Sequence, residues 1–187
     1  MKGNGNGWST LLKKLYFMFI PTSGGRTKFI IKHSYEFKHV GGGIFWQPRI
    51  YPTDPELISI GNNVMLASGV GFINHDIIAG MLNRKYKTKE FVKAEGCISI
   101  GDNVMIGANT MILPNVRIGS NVIIGAGSIV SKDIPDNSVA AGIPCKVIGD
   151  FDTLVEKYRK KKKMSPDELW REFERKRQLE PFSIIAR

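Results

Sequence analysis

The feature that most constrains this chain is a beat of six. Aliphatic residues recur at Ile100, Ile106, Ile112, Ile118, Ile124 and Val130, each six positions after the last. An earlier block, Ile60, Leu66 and Phe72, keeps the same step, and Ile44 and Ile50 show it once more. The residue that follows is usually small: Gly61, Ala67, Gly101, Gly107, Gly119, Gly125, Ser131. Four positions after the aliphatic comes another compact or branched residue, as at Val64, Val70, Val104, Thr110, Val116, Val122 and Ser128. Neither the helical period nor the strand period gives a step of six. A polygonal β-coil does, because three six-residue edges close one triangular turn with the sixth-position aliphatics pointing inward. Asn62, Asn63, Asp102, Asn103, Asn121 and Gly127 suit its corners. One coil cannot bury its apolar face alone, so stacking supplies the stability, each buried isoleucine contributing about 1.5–3 kcal/mol.

The beat divides the chain into a lead-in over 1–43, the repeat over 44–149 and a C-terminal region over 150–187. In the lead-in, Ser9 and Thr10 suit the N-cap of a short helix through "LLKKLYFMF", stopped by Pro21. Its Leu, Tyr and Phe positions are expected to dock on the core, with a membrane surface as the alternative. The C-terminal region reads as two basic helices. Ser165, Pro166 and Glu168 form a capping box at the start of the second, and Leu169, Trp170 and Phe173 give it an apolar stripe. These helices are expected to close the open end of the coil stack, whose edges would otherwise aggregate.

Hydrophobic residues make up 42% of the 187, enough for a core, while the formal net charge of +10 favours polyanionic partners such as phosphates, nucleic acid or an acidic membrane. Cys97 and Cys145 form no CxxC pair, which argues against a disulfide framework or zinc ribbon and fits a reducing compartment. The apolar run "LYFMFI" is far shorter than the roughly 20 residues of a spanning helix, and "MKGNGNG" is a poor start for a signal peptide. A cytoplasmic protein is expected.

The pattern [LIV]-G-x-x-[VTS]-x, strongest from Ile60 to about Gly149, resembles the hexapeptide-repeat acyltransferases. The resemblance implies a mainly β fold, a left-handed parallel β-helix; the handedness comes from the resemblance alone, since parallel crossovers are right-handed by default. "VIIGAGSIVSKDIPDNSVAAGIPCKVIG" (Val122 to Gly149) is similar to the last coils and exit of sugar and xenobiotic O-acetyltransferases. Such enzymes are typically homotrimers that use acetyl-CoA at sites between subunits. The resemblance to galactoside and xenobiotic enzymes departs at Met105, where tryptophan is usual, and in the Lys/Arg-rich tail. It therefore leans towards an O-acetyltransferase of bacterial surface polysaccharide or sugar, with a xenobiotic or amino-sugar N-acetyltransferase as the alternative.

One irregularity carries the chemistry. The beat stops at "GVGFINHDIIAG" and resumes near Ile98, so that 76–97 is an extruded loop leaving the prism at His75. In the family this resembles, a histidine at such an exit is the general base, which makes His75 the candidate catalytic residue. An imidazole titrates near neutrality and can take the proton from an acceptor hydroxyl attacking a thioester. Asn74 and Asp76 are candidates for orienting the base or holding the acceptor. The resemblance places CoA along the later coils at Ala108, Gly125, Ala126, Ser131 and Lys132, with Lys146 as a second phosphate partner. For the glycine and alanines, turn geometry is an equal explanation.

Other readings are a γ-type carbonic anhydrase, for which only His33, His39 and His75 are available and the expected close pair is missing, and a catalytically inactive solenoid scaffold. No metal is expected. "RKKKK" (Arg159 to Lys163) and "RKR" (Arg175 to Arg177) are read as lying on helices interleaved with acids, without a nucleic-acid module. A solvated face, or peripheral association with a membrane-linked glycan, suits them better than specific nucleic-acid binding.

Overall fold

The computed structural model describes residues 7–179. The first six residues, read above for a leader, lie outside them. The chain divides into two units, one through Leu154 and one from Val155.

Two helices open the first unit, α1 (Gly7–Phe19) and α2 (Ser23–Lys32). The first begins at Gly7, so Ser9 and Thr10 lie within its opening turn rather than ahead of it. The second was not anticipated from the sequence; Thr22 caps it by accepting from the Gly25 N–H at 3.1 Å.

Five coils follow. The first holds β1 (His39–Val40) and β2 (Phe45–Trp46), so the regular coils begin ahead of Ile44. The second holds β3 (Ile58–Ile60), β4 (Val64–Leu66) and β5 (Gly71–Phe72) and is followed by α3 (Ile78–Tyr86). The third holds β6 (Ile98–Ile100), β7 (Val104–Ile106) and β8 (Met111–Ile112), and the fourth β9 (Val116–Ile118), β10 (Val122–Ile124) and β11 (Ile129–Val130). The fifth has β12 (Ser138–Ala141), paired antiparallel with β13 (Lys146–Asp150).

Stacking the coils produces three sheets, ordered β1-β3-β6-β9, β2-β4-β7-β10-β12-β13 and β5-β8-β11, parallel except at the last pair of the second. The registers show the pitch directly. Val104 pairs with Val122, Ile98 with Val116 and Met111 with Ile129, each 18 residues apart, which is three edges of six. Across the excursion Ile58 pairs with Ile98, a step of 40 that exceeds the pitch by 22, the length of 76–97. The loop is thus inserted without disturbing the ladder.

The inward positions follow the beat. Ile60, Leu66, Ile100, Ile106, Ile112, Ile118, Ile124 and Val130 are all buried, as are Val64, Val104 and Val122 at the other sites facing the axis. At the corner between the first and second sheets, Asn63, Asn103, Asn121 and Asn137 take left-handed φ values of 53–57°. Asparagine tolerates that region, and here the four side chains join in a ladder, each Nδ2 donating to the next Oδ1 at 2.9–3.0 Å. Glycine is required where coils approach closest: a Cβ on Gly107 would lie 2.4 Å from the Ala126 nitrogen.

In the second unit, the capping box forms as expected. The Ser165 N–H donates to Glu168 Oε2 at 2.7 Å and the Glu168 N–H to Ser165 Oγ at 3.3 Å, starting α5 (Pro166–Leu179). The preceding helix, α4 (Phe151–Arg159), ends as the basic run begins. The helical reading of "RKKKK" is therefore corrected: Lys160 to Lys163 lie beyond the helix, consistent with like charges at helical spacing repelling one another.

Candidate active site

The third sheet ends its second coil at β5, and from there the chain leaves the prism. The Ile73 N–H makes the last ladder bond, to the Ile112 carbonyl at 2.9 Å. Asn74 is buried and turned inward, its Nδ2 donating to the Gly96 carbonyl at 3.0 Å, while the Gly96 N–H donates to the Asn74 carbonyl at 2.7 Å. His75 bridges Glu95 in antiparallel sense, and the Asp76 N–H reaches the Ala94 carbonyl at 3.4 Å. These contacts pinch the loop into a neck. Gly96 is needed at its closure, because a Cβ there would meet Pro114 and Asn115 at 2.6 Å.

The neck holds His75 half-buried with one ring nitrogen committed. Its Nδ1 hydrogen-bonds Asp54 Oδ2. Asp54 comes from the segment between β2 and β3, where its carbonyl accepts from the Leu57 N–H at 3.1 Å in a single helical turn, Pro55–Leu57. Lys93, on the returning arm of the loop, lies 3.9 Å from Asp54 Oδ1 and 2.7 Å from Glu95 Oε1. The hydrogen bond that Lys93 donates to Glu95 raises the Lys93 pKa above its ordinary value, with Asp54 adding to the effect, so the ammonium stays charged beside the pair. Among the described residues, His75 Nε2 makes no hydrogen bond. A carboxylate accepting from Nδ1–H fixes the tautomer that leaves Nε2 a bare lone pair.

Two cavities flank this pair. A cleft of about 570 Å³ is lined by His75, Ile77, Met81, Arg84 and Lys93. A groove of about 470 Å³ runs from Thr53 and Ile73, the chain neighbours of Asp54 and Asn74, along Phe72 and Gly69 to Arg49 and Met111. Both are in the size range of small-molecule sites.

Asp54 is the residue that the sequence reading missed. It precedes a proline in a stretch without a beat, so it reads as a turn residue, and its partner is 21 positions away. Asp76, a candidate for orienting the base, instead starts α3, its Oδ1 accepting from the Ile78 N–H at 3.0 Å. Asn74 clamps the neck. The structure thus joins His75 to neither expected neighbour's side chain. Nor are His33, His39 and His75 assembled: His33 bonds the Phe29 carbonyl at 2.9 Å and stacks on the Phe29 ring, and among the described residues no three His, Cys, Asp or Glu are arranged to hold a metal.

The model "Bacterial transferase hexapeptide (six repeats)" matches residues 97–132. Protein CapG of Staphylococcus aureus is 43% identical over 107 residues, 57% of this chain and 60% of CapG. Galactoside O-acetyltransferase of Escherichia coli (strain K12) is 37% identical over 121 residues, 64% of this chain and 57% of that enzyme. Over its coils the chain is similar to the hexapeptide-repeat acyltransferases. It spans somewhat under two thirds of the length of either relative. A solved galactoside acetyltransferase in complex with coenzyme A superposes with a TM-score of 0.54 at 27% identity, covering 78% of this chain and 84% of that one.

Of the positions that the family resemblance implies for the thioester, Ser131 and Lys132 stand exposed on the corner that carries His75, two coils further on, about 10 Å at the spacing of paired strands. Ala108, Gly125 and Ala126 stack on the corner at the other end of the third sheet, where the Gly127 N–H donates to the Ala108 carbonyl at 2.8 Å. Among the described residues, the Ala108 and Ala126 N–H groups have no partner there. Gly125 serves the stacking itself, since a Cβ would lie 2.8 Å from that of Ala141. Lys146 is exposed on β13. Within one protomer the hexapeptide coils therefore separate the candidate base from the small-residue corner.

Proposed function

We propose that the protein transfers an acetyl group from acetyl-CoA to a sugar hydroxyl, with His75 as general base and Asp54 as the residue that orients it. The observation that carries this reading is the His75–Asp54 pair at the neck where the 76–97 loop leaves the coils. The acceptor O–H gives its proton to Nε2 as the oxygen attacks the thioester carbonyl, and the C–O bond forms. Collapse of the tetrahedral intermediate breaks the C–S bond, and the imidazolium returns the proton to the departing thiolate. Asp54, accepting from Nδ1–H, orients the ring and stabilises the imidazolium. No covalent enzyme intermediate is needed; burial pushes the Cys145 thiol up, which leaves it a poor nucleophile.

The sugar is proposed to occupy the cleft beneath α3, where Arg84 and Lys93 offer donors to hydroxyls or acidic groups and Ile77 and Met81 an apolar wall. The pantetheine arm is assigned to the Ala108–Ala126 corner, whose N–H groups suit an amide chain lying close to the backbone, with Ser131, Lys132 and Lys146 at its polar ends. Since that corner and His75 lie at opposite ends of the third sheet, the site is proposed to form between subunits of a homotrimer. A ladder of outward apolar residues on the second sheet, Phe45, Met65, Met105, Ile123 and Val139, supports such an assembly. The galactoside O-acetyltransferase relative and the coenzyme A complex support the chemistry, and polysaccharide or oligosaccharide acceptors of a bacterial surface follow as the substrate class to try first.

The test is thiol release from acetyl-CoA against galactosides, malto-oligosaccharides, nucleotide sugars and acidic oligosaccharides. Release with at least one sugar, abolished by His75→Ala in folded protein, is the expected result. Binding of CoA without transfer to any acceptor would favour the scaffold.

A further inference from the structure

Helix α1 sits inside out. On a helical wheel Met18, Leu11, Leu15, Phe19, Leu12 and Tyr16 follow one another round about 160° of its surface, and all six are exposed. Phe19 is 77% exposed, Tyr16 66% and Leu12 62%, which marks a face left bare rather than the edge of a contact. The opposite, narrower side holds the helix to the protein. Phe17 is fully buried, its ring 5.2 Å from that of Phe29 and 5.4 Å from that of Tyr51. Lys13 pairs with Glu36 and lies over the Tyr51 ring, 4.9 Å from its centroid. Burial alone would raise the Glu36 pKa; hydrogen bonds from Lys13 and Tyr51 outweigh it and hold the carboxyl below its ordinary value. Two guanidinium groups finish the mooring, Arg26 donating to the Ile20 carbonyl at 2.7 Å and Arg49 to the Met18 carbonyl at 3.4 Å. Rolling the apolar arc inward would break these contacts, so the fold itself turns that arc outward. The expected docking on the core is made by Phe17, not by the leucines.

Charge indicates what covers the arc. Residues 1–35 contain six basic side chains (Lys2, Lys13, Lys14, Arg26, Lys28 and Lys32) and no acidic one. Lys28 and Lys32 are exposed on α2, the helix whose Phe29 packs against α1. Cores of protein interfaces are depleted in lysine, whereas helices lying in a bilayer surface combine an apolar face with surrounding Lys and Arg. At 13 residues, α1 is too short to span a membrane. We infer that α1 lies in the plane of an anionic lipid surface, its six apolar side chains at the headgroup–acyl boundary and the lysines of the helical pair among the phosphates. This inference stands independently of the acetyl-transfer reading.

The test is co-sedimentation of the full chain with vesicles of phosphatidylglycerol and phosphatidylcholine in equal parts, and with phosphatidylcholine alone. Binding to the anionic vesicles, weakened by added salt, is expected. Leu12→Glu/Phe19→Glu, at exposed sites, should lower partitioning about tenfold or more with circular dichroism and elution volume unchanged. Lys28→Glu/Lys32→Glu should weaken binding to the anionic vesicles as an independent variant. A wild-type chain that ignores anionic vesicles overturns the inference, as does a Leu12/Phe19 variant that binds as well as wild type. A shift in elution volume on substitution, without vesicle binding by the wild type, would assign the face to a second copy of the chain.

Discussion

The corner between the first and second sheets repeats itself. Asn63, Asn103, Asn121 and Asn137 share one backbone conformation and one chain of amide hydrogen bonds that ties each coil to the next. The corner between the third and first sheets does the opposite. At the second coil it opens for 22 residues, turns Asn74 inward as a clamp, and leaves His75 facing a cleft with Asp54 behind it. Both corners are built on the same pitch and the same inward aliphatics. The difference teaches that regularity here is what allows one corner to be irregular, because the ladder on either side fixes where the neck begins and ends.

The largest effect comes from removing what the two corners share. Ile106→Asp places a carboxylate on the axis of the prism among fully buried aliphatics, and is expected to yield no soluble folded protein; a cooperative thermal transition in that variant would refute the stacked-coil account. At the open corner, His75→Ala should lower kcat for thiol release about 10³-fold while the melting temperature stays close to wild type, since the side chain is only half-buried. Asp54→Asn sharpens the contrast. Asparagine can donate to Nδ1 and so favours the wrong tautomer, costing about 10- to 100-fold in kcat with KM nearly unchanged. If Asp54→Asn matched wild type, the pair would be a structural contact only. At the repeating corner the pattern should invert: Asn103→Ala forfeits two ladder bonds and strains a left-handed residue. It should cost about 1–3 kcal/mol in a urea titration and leave kcat per folded molecule alone.

Much of this was legible because a beat of six is a statement about geometry. The 18-residue coil, the inward positions, the corner asparagines and the exit at His75 all follow from counting. The lead-in was legible only in part: the helix through Phe19 has its own period, but nothing in that period says that Phe17 and Lys13, rather than the leucines, face the protein. That choice is made by Glu36, Tyr51 and Phe29, which are remote in sequence. Asp54 was missed for the same reason, since an acid before a proline carries no sign of a histidine 21 residues on. Asp76 misled in the reverse direction, its adjacency to His75 serving the start of α3.

The step of 40 residues between Ile58 and Ile98 has a further consequence. Since the strand register after the excursion is the one that an uninterrupted coil would have, the length of the excursion is not dictated by the ladder. Asn74 and Gly96 act as a fixed socket, and what is plugged into it can change in size or composition without re-indexing the aliphatics beyond. On the acetyl-transfer reading proposed above, exchanging the insert between those two residues would alter the acceptor cleft and leave the histidine at the socket's rim and the coils beneath it in place.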